Sequence, residues 1–577
     1  MGGFYAGSDR IKEIYISDAS AVLENASAVF FEDTLFFTNT DPLIDFRYDI
    51  GIPGKKYVLI TGWRGTLNGE TSTKCIIPYS KHYQVYNINF QNYQQITEVN
   101  IPNNISILNN SLYNAFYNMQ NLISINIPNN INNLCNMCYN CSNLTSNPIC
   151  GDNVTDMRCA YWNCINLTGS PVCGDNVTNM SSTYYNCYNL TGNPVCGPNV
   201  TNMGNTYYYC TNLTGNPVCG DNVTDMSETY AFCFNITGVP ICGPNVTNMS
   251  YTYYNCSNIT SNPVCGNNVT NMDRTYYNCN NLTGNPVCGN NVTNMYATYY
   301  NCYNLTGSPV CGNNVTNMSD TYKNCTNLTG SPACGDNVTD MYDTYENCRN
   351  LTGSPVCSNN VYRMYETYFN CYNLTGSPAC GDNVTRMYCT YYNCSNLTGS
   401  PVCGNNVTDM YRTYYNCSNL TGSPVCGNKV TNMYATYSMC YNLTGSPVCG
   451  NNVTNMSWAY SSCSNLTGSP ACGDNVTNMC NTYRNCFNLY GNTYFYSNSI
   501  QNVGCCFAIR NTSNILNIYV HNGSKTMNTC LSNNYTSSLV GYDITWTNNG
   551  VCHYNTQFNI YIYPVSNVAD KRASNGD

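Results

Sequence analysis

The chain has 577 residues, long enough for roughly three or four ordinary domains, with a net charge of -9 and a pI near 4.8. Only 9% of its residues are charged, against about 25% in a typical soluble domain, while tyrosine fills 55 positions and cysteine 41. That balance argues against nucleic acid as a partner, because neutralising phosphates needs a basic stripe, and no Lys/Arg cluster is available for an anionic membrane surface. No apolar run reaches the roughly 18 residues of a membrane span. The N-terminal segment lacks an apolar h-region and a cleavage site, and the C-terminal "DKRASNGD" carries no anchor, so the expectation is a soluble chain without a secretory signal.

Residues 1–87 follow no period. "RIKEIYISD", "AVFFEDTLFF" and "KKYVLITGW" are short strand-like runs separated by turn residues, which predicts a small β-rich module. The first two runs resemble N-terminal segments of tailed-phage virion proteins, with Ser17 where that pattern has glycine. The resemblance implies an attachment domain that contacts other virion proteins. A generic N-terminal cap is the alternative.

From residue 88 to 490 the chain repeats. The cysteine of an "NC" phrase recurs every 23 residues from Cys141, Cys164, Cys187 and Cys210 through Cys302 and Cys325 to Cys486, 16 positions in all. The cysteine of "PVCG" recurs with the same step from Cys150, Cys173 and Cys196 through Cys311 to Cys472, 15 positions. Together the two series hold 31 of the 41 cysteines, so cysteine usage follows the repeat. A fixed period in this range predicts a solenoid, in which no coil buries its apolar face alone and stacked coils place like residues in ladders. Leu305, Val310, Val315, Met318, Tyr322 and Cys325 are the expected inward set of one coil.

The upstream coils carry "AFYNMQNLISINIPNNI", residues 115–131. Ala115, Phe116, Leu122, Ile125, Ile127 and Pro128 resemble the BspA-type leucine-rich repeat pattern A-F-x-x-C-x-x-L-x-x-I-x-I-P. In later copies Cys302, Leu305 and Val315 take the cysteine, leucine and valine places. The resemblance implies a right-handed, β-rich leucine-rich-repeat solenoid with a surface or adhesion role. Later copies replace I-x-I-P by S-P-V-C. Pro309 has no N–H and Ser308 replaces an isoleucine, so the strand there should be short and the sheet less regular.

The "NC" cysteines read as a core ladder of small thiols beside an asparagine ladder, Asn304 and its equivalents, that bonds turn backbone between coils. The "PVCG" cysteines should line the strand edge about one strand spacing apart, which disulfides between neighbouring coils would fit; without a secretory signal, reduced thiols are the favoured reading. "CNMCYNC" puts Cys135, Cys138 and Cys141 at metal-ligand spacing. Cys141 already belongs to the ladder and Cys138 takes the place of Phe116, so no metal is assigned. Cys505 and Cys506 are read as ordinary thiols. Each coil carries "NLT" and "NVT", glycosylation acceptors by pattern, and also the turn residues that solenoid corners need. Asp152 and Asp156 lack the oxygen density of a calcium loop. His82, His521 and His553 fall in no catalytic, zinc or phosphate motif, so no enzyme activity and no cofactor are expected.

The residues after each methionine vary most. Tyr342, Tyr365, Tyr388, Tyr411 and Trp458 are expected on one outer stripe, the candidate binding face for a protein or glycan on a cell surface. Residues 491–577 leave the period; "NILNIYV", "GYDITWT" and "FNIYIYPV" predict a β-rich module that closes the last coil. The final stretch is similar to C-terminal segments after such repeats in low-GC gut bacteria and their phages. Three functions stay open: a virion appendage, a bacterial cell-surface adhesin, and a spacer whose exposed stripe binds nothing.

Overall fold

A computed structural model of the chain describes residues 110–495 without a break and shorter stretches on either side. Two compact units are present, Met1–Leu282 and Thr283–Asp577.

The first unit opens with β1 (Val29–Phe31) and β2 (Thr34–Phe36), an antiparallel pair inside the expected "AVFFEDTLFF" run. Then come β3 (Val58–Leu59), β4 (Thr66–Leu67), β5 (Lys74–Ile76), β6 (Asn87–Ile88), β7 (Glu98–Asn100) and β8 (Ser124–Ile125). Strands β3, β5, β7 and β8 form one parallel sheet in that order, and β4 pairs parallel with β6. Parallel pairing between strands is thus present on both sides of residue 88, from Val58 to Ile125. "RIKEIYISD" and the side chain of His82 lie outside the described residues.

After β8 the named strands stop, although the stack does not. Each coil keeps one isolated parallel bridge, as in Asp156↔Asn179↔Asn202↔Asp225. The rest of the coil is made of consecutive turns. Met180, Ser182, Tyr184 and Asn186 donate their N–H groups to Asn202, Gly204, Thr206 and Tyr208 of the next coil at 2.8–2.9 Å. Between them Thr183 and Cys187 turn back to Met180 and Tyr184 at 3.0 and 3.1 Å. Alternate amides thus serve the neighbouring coil and the local turn, which satisfies a buried backbone without regular strands. The geometry takes two non-glycine residues to positive φ per coil, here Ser182 at 54° and Asn186 at 60°. Asparagine dominates the second place because its short polar side chain tolerates the left-handed region.

The core is a set of ladders. Leu, Val, Met, Tyr and Cys recur fully buried in coil after coil, and a threonine joins them. The Thr183 hydroxyl lies 2.9 Å from the Met157 carbonyl of the preceding coil and 2.7 Å from that of Met180. Buried tyrosine rings stack at 5.4–5.6 Å from Tyr161 to Tyr276 in the first unit and from Tyr299 to Tyr483 in the second.

One expected inward residue is misplaced. Val310 is half-buried and Pro309 is buried in its stead. The cause is the tyrosine hydroxyl. Tyr322 Oη accepts the Val310 N–H at 3.0 Å and donates to the Val310 carbonyl at 2.7 Å, so one phenol serves both polar groups that a neighbouring strand would have served. The clasp spans twelve residues within a coil and recurs, for instance between Tyr184 and Val172. Cys138 stands where those coils have tyrosine, and just before the matching position the chain keeps strand β8.

In the second unit the coils run on past residue 490. Asn478 bridges Asn502, and Tyr483 donates to Cys506 at 2.9 Å. Strands β9 (Gly491–Phe495), β10 (Leu516–His521), β11 (Thr545–Trp546), β12 (Cys552–His553) and β13 (Ile560–Val565) form one sheet in the order β11-β12-β13-β10-β9. In it β9, β10 and β13 are parallel and β11–β12 and β12–β13 antiparallel. The side chains of His521 and His553, and all of Cys505, lie outside the described residues. Among the described residues no helix is long and apolar enough to cross a membrane.

Candidate binding face

The inner cysteines Cys141, Cys164, Cys187, Cys210, Cys302 and Cys325 are fully buried and are thiols rather than disulfides. Each thiol for which a partner is known hydrogen-bonds back to the coil before it: Cys187 Sγ lies 3.1 Å from the Tyr161 carbonyl and Cys325 Sγ 3.0 Å from that of Tyr299. A small side chain with a weak donor suits a buried slot that ends on a carbonyl. Burial pushes Cys187 well above the usual thiol range.

The outer cysteines Cys150, Cys173, Cys196 and Cys311 are half-buried and also free. The Gly335 N–H donates to Cys311 Sγ at 3.2 Å, and Gly381 and Gly473 repeat the contact with Cys357 and Cys449 at 3.2 Å. A Cβ on Gly335 would meet the Gly312 carbonyl at 2.8 Å, which explains the glycine after Cys334 and most of its equivalents; Ser358 takes that place after Cys357. The thiols are therefore acceptors between coils. Burial lifts Cys173 and Cys311 up to about 12.

The asparagines divide their work differently from the expectation. Asn304 and its equivalents bond one another at the surface, Asn327 Nδ2 to Asn304 Oδ1 at 3.4 Å. The bond to turn backbone is made by the "NVT" series, with Asn314 Nδ2 donating to the Asn290 carbonyl at 2.9 Å, and within the Asn304 series by Asn488, whose Nδ2 donates to the Ser464 carbonyl at 2.9 Å. Both amides that glycosylation would modify are engaged between coils. In the first unit, Asn and Thr rows including Asn176 and Thr178 line an open groove of about 970 Å³, and these side chains bond the preceding coil at 2.9 and 3.1 Å.

Outside the core the second unit carries the expected stripe. Tyr342, Tyr365, Tyr388 and Tyr411 follow one another coil by coil, and Tyr434 continues the row. The first two contacts are edge-on with centroids 6.0 and 6.1 Å apart, and the last two are stacked at 4.7 and 5.0 Å. Tyr342 and Tyr388 are 38% and 37% exposed. Trp458 sits one residue further from its methionine, at a positive-φ position, with the Arg484 guanidinium 5.8 Å from its ring.

A second aromatic row, five residues after each methionine or after Leu112 and Leu134 in its place, went unread in the sequence. In the first unit Tyr117, Tyr139, Trp162, Tyr185 and Tyr208 stack at 4.3–5.2 Å, half-buried. In the second, Phe369, Tyr392 and Tyr415 stack at 4.7 Å. The signal was the recurrence of an aromatic before each "NC", partly hidden by Ser438, Ser461, Lys323 and Glu346 at the same place.

Lys323 and Glu346 belong to a charged cluster. The Lys323 ammonium lies 2.6 Å from Asp343 and 2.7 Å from Glu346, and Glu366 brings its carboxylate within 4.8 Å of theirs. Asp343 is 2% exposed and its Oδ1 has no hydrogen-bond partner. Burial pushes its carboxyl up to about 7 against the pull of Lys323. Among the described residues these three carboxylates are the group able to hold a metal ion; the lysine already supplies their countercharge. Cys135, Cys138 and Cys141 are buried free thiols and form no such group.

Residues 68–191 and 158–260 match the BspA type leucine rich repeat region, in six copies, and residues 247–356 match a Mycoplasma protein family of unknown function. The chain matches no curated protein. Among solved structures it is similar to a leucine-rich repeat protein from Bacteroides ovatus at 12% identity and a TM-score of 0.22, over 94% of this chain and 99% of that one. It is also similar to a leucine rich cell surface protein from Faecalibacterium prausnitzii at 15% identity and a TM-score of 0.20, over 88% and 98%. Superpositions this loose carry no argument. The match of the repeats themselves does: residues 68–260 match BspA-type leucine-rich repeats, and the chain is a leucine-rich-repeat solenoid.

Proposed function

We propose that the chain is a non-enzymatic, surface-displayed binding or adhesion solenoid that contacts a protein or glycan on a cell surface. The observation that carries this reading is the tyrosine row Tyr342–Tyr434, half-exposed on a core of identical coils. Tyrosine offers a large amphipathic contact area at low entropic cost, and a stacked row is ordered before any partner arrives. The coils are taken as right-handed, the hand of nearly all parallel crossovers. In its finer form the proposal displays the solenoid on a virion through residues 1–87, or on a bacterial surface as an adhesin, with residues 491–577 as the cap; the virion form rests on sequence resemblance of the two ends.

The test is binding of the purified full chain to intact bacterial and epithelial cells and to immobilised surface glycans. It compares the natural sequence with a triple variant, Tyr342→Ser, Tyr388→Ser and Tyr411→Ser. Serine already follows the methionine at Ser181, Ser227 and Ser319, so the coil accommodates it. Binding that falls with the variant supports the proposal. Equal binding by both, or binding by neither, leaves the chain a spacer and overturns it.

A further inference from the structure

Ring stacking along the second aromatic row ends abruptly. Phe369, Tyr392 and Tyr415 stack, and the next two coils place Ser438 and Ser461 where the rings should be; the third places Arg484. Two absent rings leave a cavity of about 360 Å³. At ~4.8 Å per coil it spans roughly 14 Å from Tyr415 to Arg484. The asparagine that normally follows is also replaced, by Met439 and Ser462, and both line the cavity.

The walls are chemically specific. Tyr415 ends its stack at one side. Tyr434, from the outer stripe, and Trp458 close another. Arg412 and Arg484 supply two guanidinium groups, and neither has a carboxylate partner among the described residues. Arg412 lies 5.2, 5.9 and 5.5 Å from the rings of Tyr411, Tyr415 and Tyr434, and its buried Nε–H has no acceptor. Aromatic faces hold it in place without neutralising it. In a chain of net charge -9, two guanidiniums in one cavity, with no carboxylate partner among the described residues, form a local anion-attracting site.

We propose that this cavity binds an acidic sugar unit of a surface glycan, a pyranose ring bearing a carboxylate. The ring would continue the interrupted stack on Tyr415 and lie against Trp458. Arg412 and Arg484 would pair with the carboxylate, whose two oxygens match the guanidinium fork. The hydroxyls of Ser438, Ser461 and Ser462 favour a polyhydroxylated ring over a bare aromatic one, whose flanks would leave them unmatched. The inference rests on the surface-binding reading and names a ligand class for one part of it.

The neighbouring coils provide variants that the fold already tolerates. Ser438→Tyr restores the ring found at Tyr392 and Tyr415, filling the cavity and leaving both arginines. Arg484→Ser copies Ser438 and Ser461, and Arg412→Ala copies Ala435. Calorimetric titration of the full chain with trigalacturonate, galactotriose, benzoate and inorganic sulfate reads the outcome. The expected result is binding of trigalacturonate alone, weakened at least about tenfold by each arginine change, as loss of a charge-assisted pair implies, and abolished by Ser438→Tyr. No trigalacturonate binding, unchanged binding by Ser438→Tyr, or equal binding of benzoate or sulfate would each overturn the assignment. Cell binding that still depends on Tyr342, Tyr388 and Tyr411 would then leave the broader surface-binding proposal standing.

Discussion

Tyr322→Phe isolates the clasp that replaces the strand in each later coil. Phenylalanine keeps the ring between Tyr299 and Tyr345, both stacked on it at 5.5 Å, so buried apolar area is conserved. What is lost is one oxygen that accepts the Val310 N–H at 3.0 Å and donates to the Val310 carbonyl at 2.7 Å. Two net hydrogen bonds are worth about 2 kcal/mol. A fully dry Val310 would raise that cost, but the residue is half-buried and water partly compensates. A stack of like coils distributes its stability over coil and interface contributions, so the global midpoint should move little. The loss appears locally: amide exchange at Val310 should accelerate by roughly 30-fold, the equivalent of 2 kcal/mol. Hydrogen-exchange mass spectrometry on the peptide spanning Val310 is the assay. Protection within threefold of the natural sequence would refute the clasp as the device that holds this segment.

Two further outcomes follow from buried titratable groups. Asp343 titrates at about 7 in the folded chain and near 3.9 when unfolded, so its contribution is fully present below pH ~4 and is lost as pH rises through 7, at up to about 1.4 kcal/mol per unit. Asp320, Lys323, Glu346 and Glu366 face the same cluster, so the comparison is with Asp343→Asn. That variant should lose less melting temperature between pH 5 and pH 8 than the natural chain, and an equal loss would rule out Asp343 as the source. Thiol alkylation at pH 7.5 should be negligible at Cys173 and Cys311 in the folded chain, because burial holds both near 12, and complete after denaturation. Rapid labelling of the folded form would show that these ladders are open to solvent.

Much of the core was legible because a period carries its own alignment. Leu305, Val315, Met318, Tyr322 and Cys325 were all read as inward and all are fully buried. Val310 was misread because its apolar character matched a strand that the tyrosine hydroxyl makes unnecessary. A hydroxyl's partner twelve residues away leaves no trace in composition or periodicity. The backbone bond expected of Asn304 is made by Asn314 for a similar reason: both are corner asparagines, and only the coil's path decides which one reaches backbone. The stripe Tyr342–Tyr411 was found from its variability, and the structure places those four tyrosines in one row. The adjoining cavity was missed because it is made by absences, Ser438 and Ser461 in a place where other coils carry rings.

The clasp between Tyr322 and Val310 also bears on how such a gene can change. Each coil fastens itself through a contact only twelve residues long and meets its neighbours through surfaces that are nearly the same at every step. Unequal crossing-over that adds or deletes whole 23-residue units therefore gives back a foldable chain of a different length. The tolerance extends to reach and not to recognition: the cavity at Ser438 and Ser461 depends on unlike copies in a fixed order, so shuffling that left the stack intact would erase it.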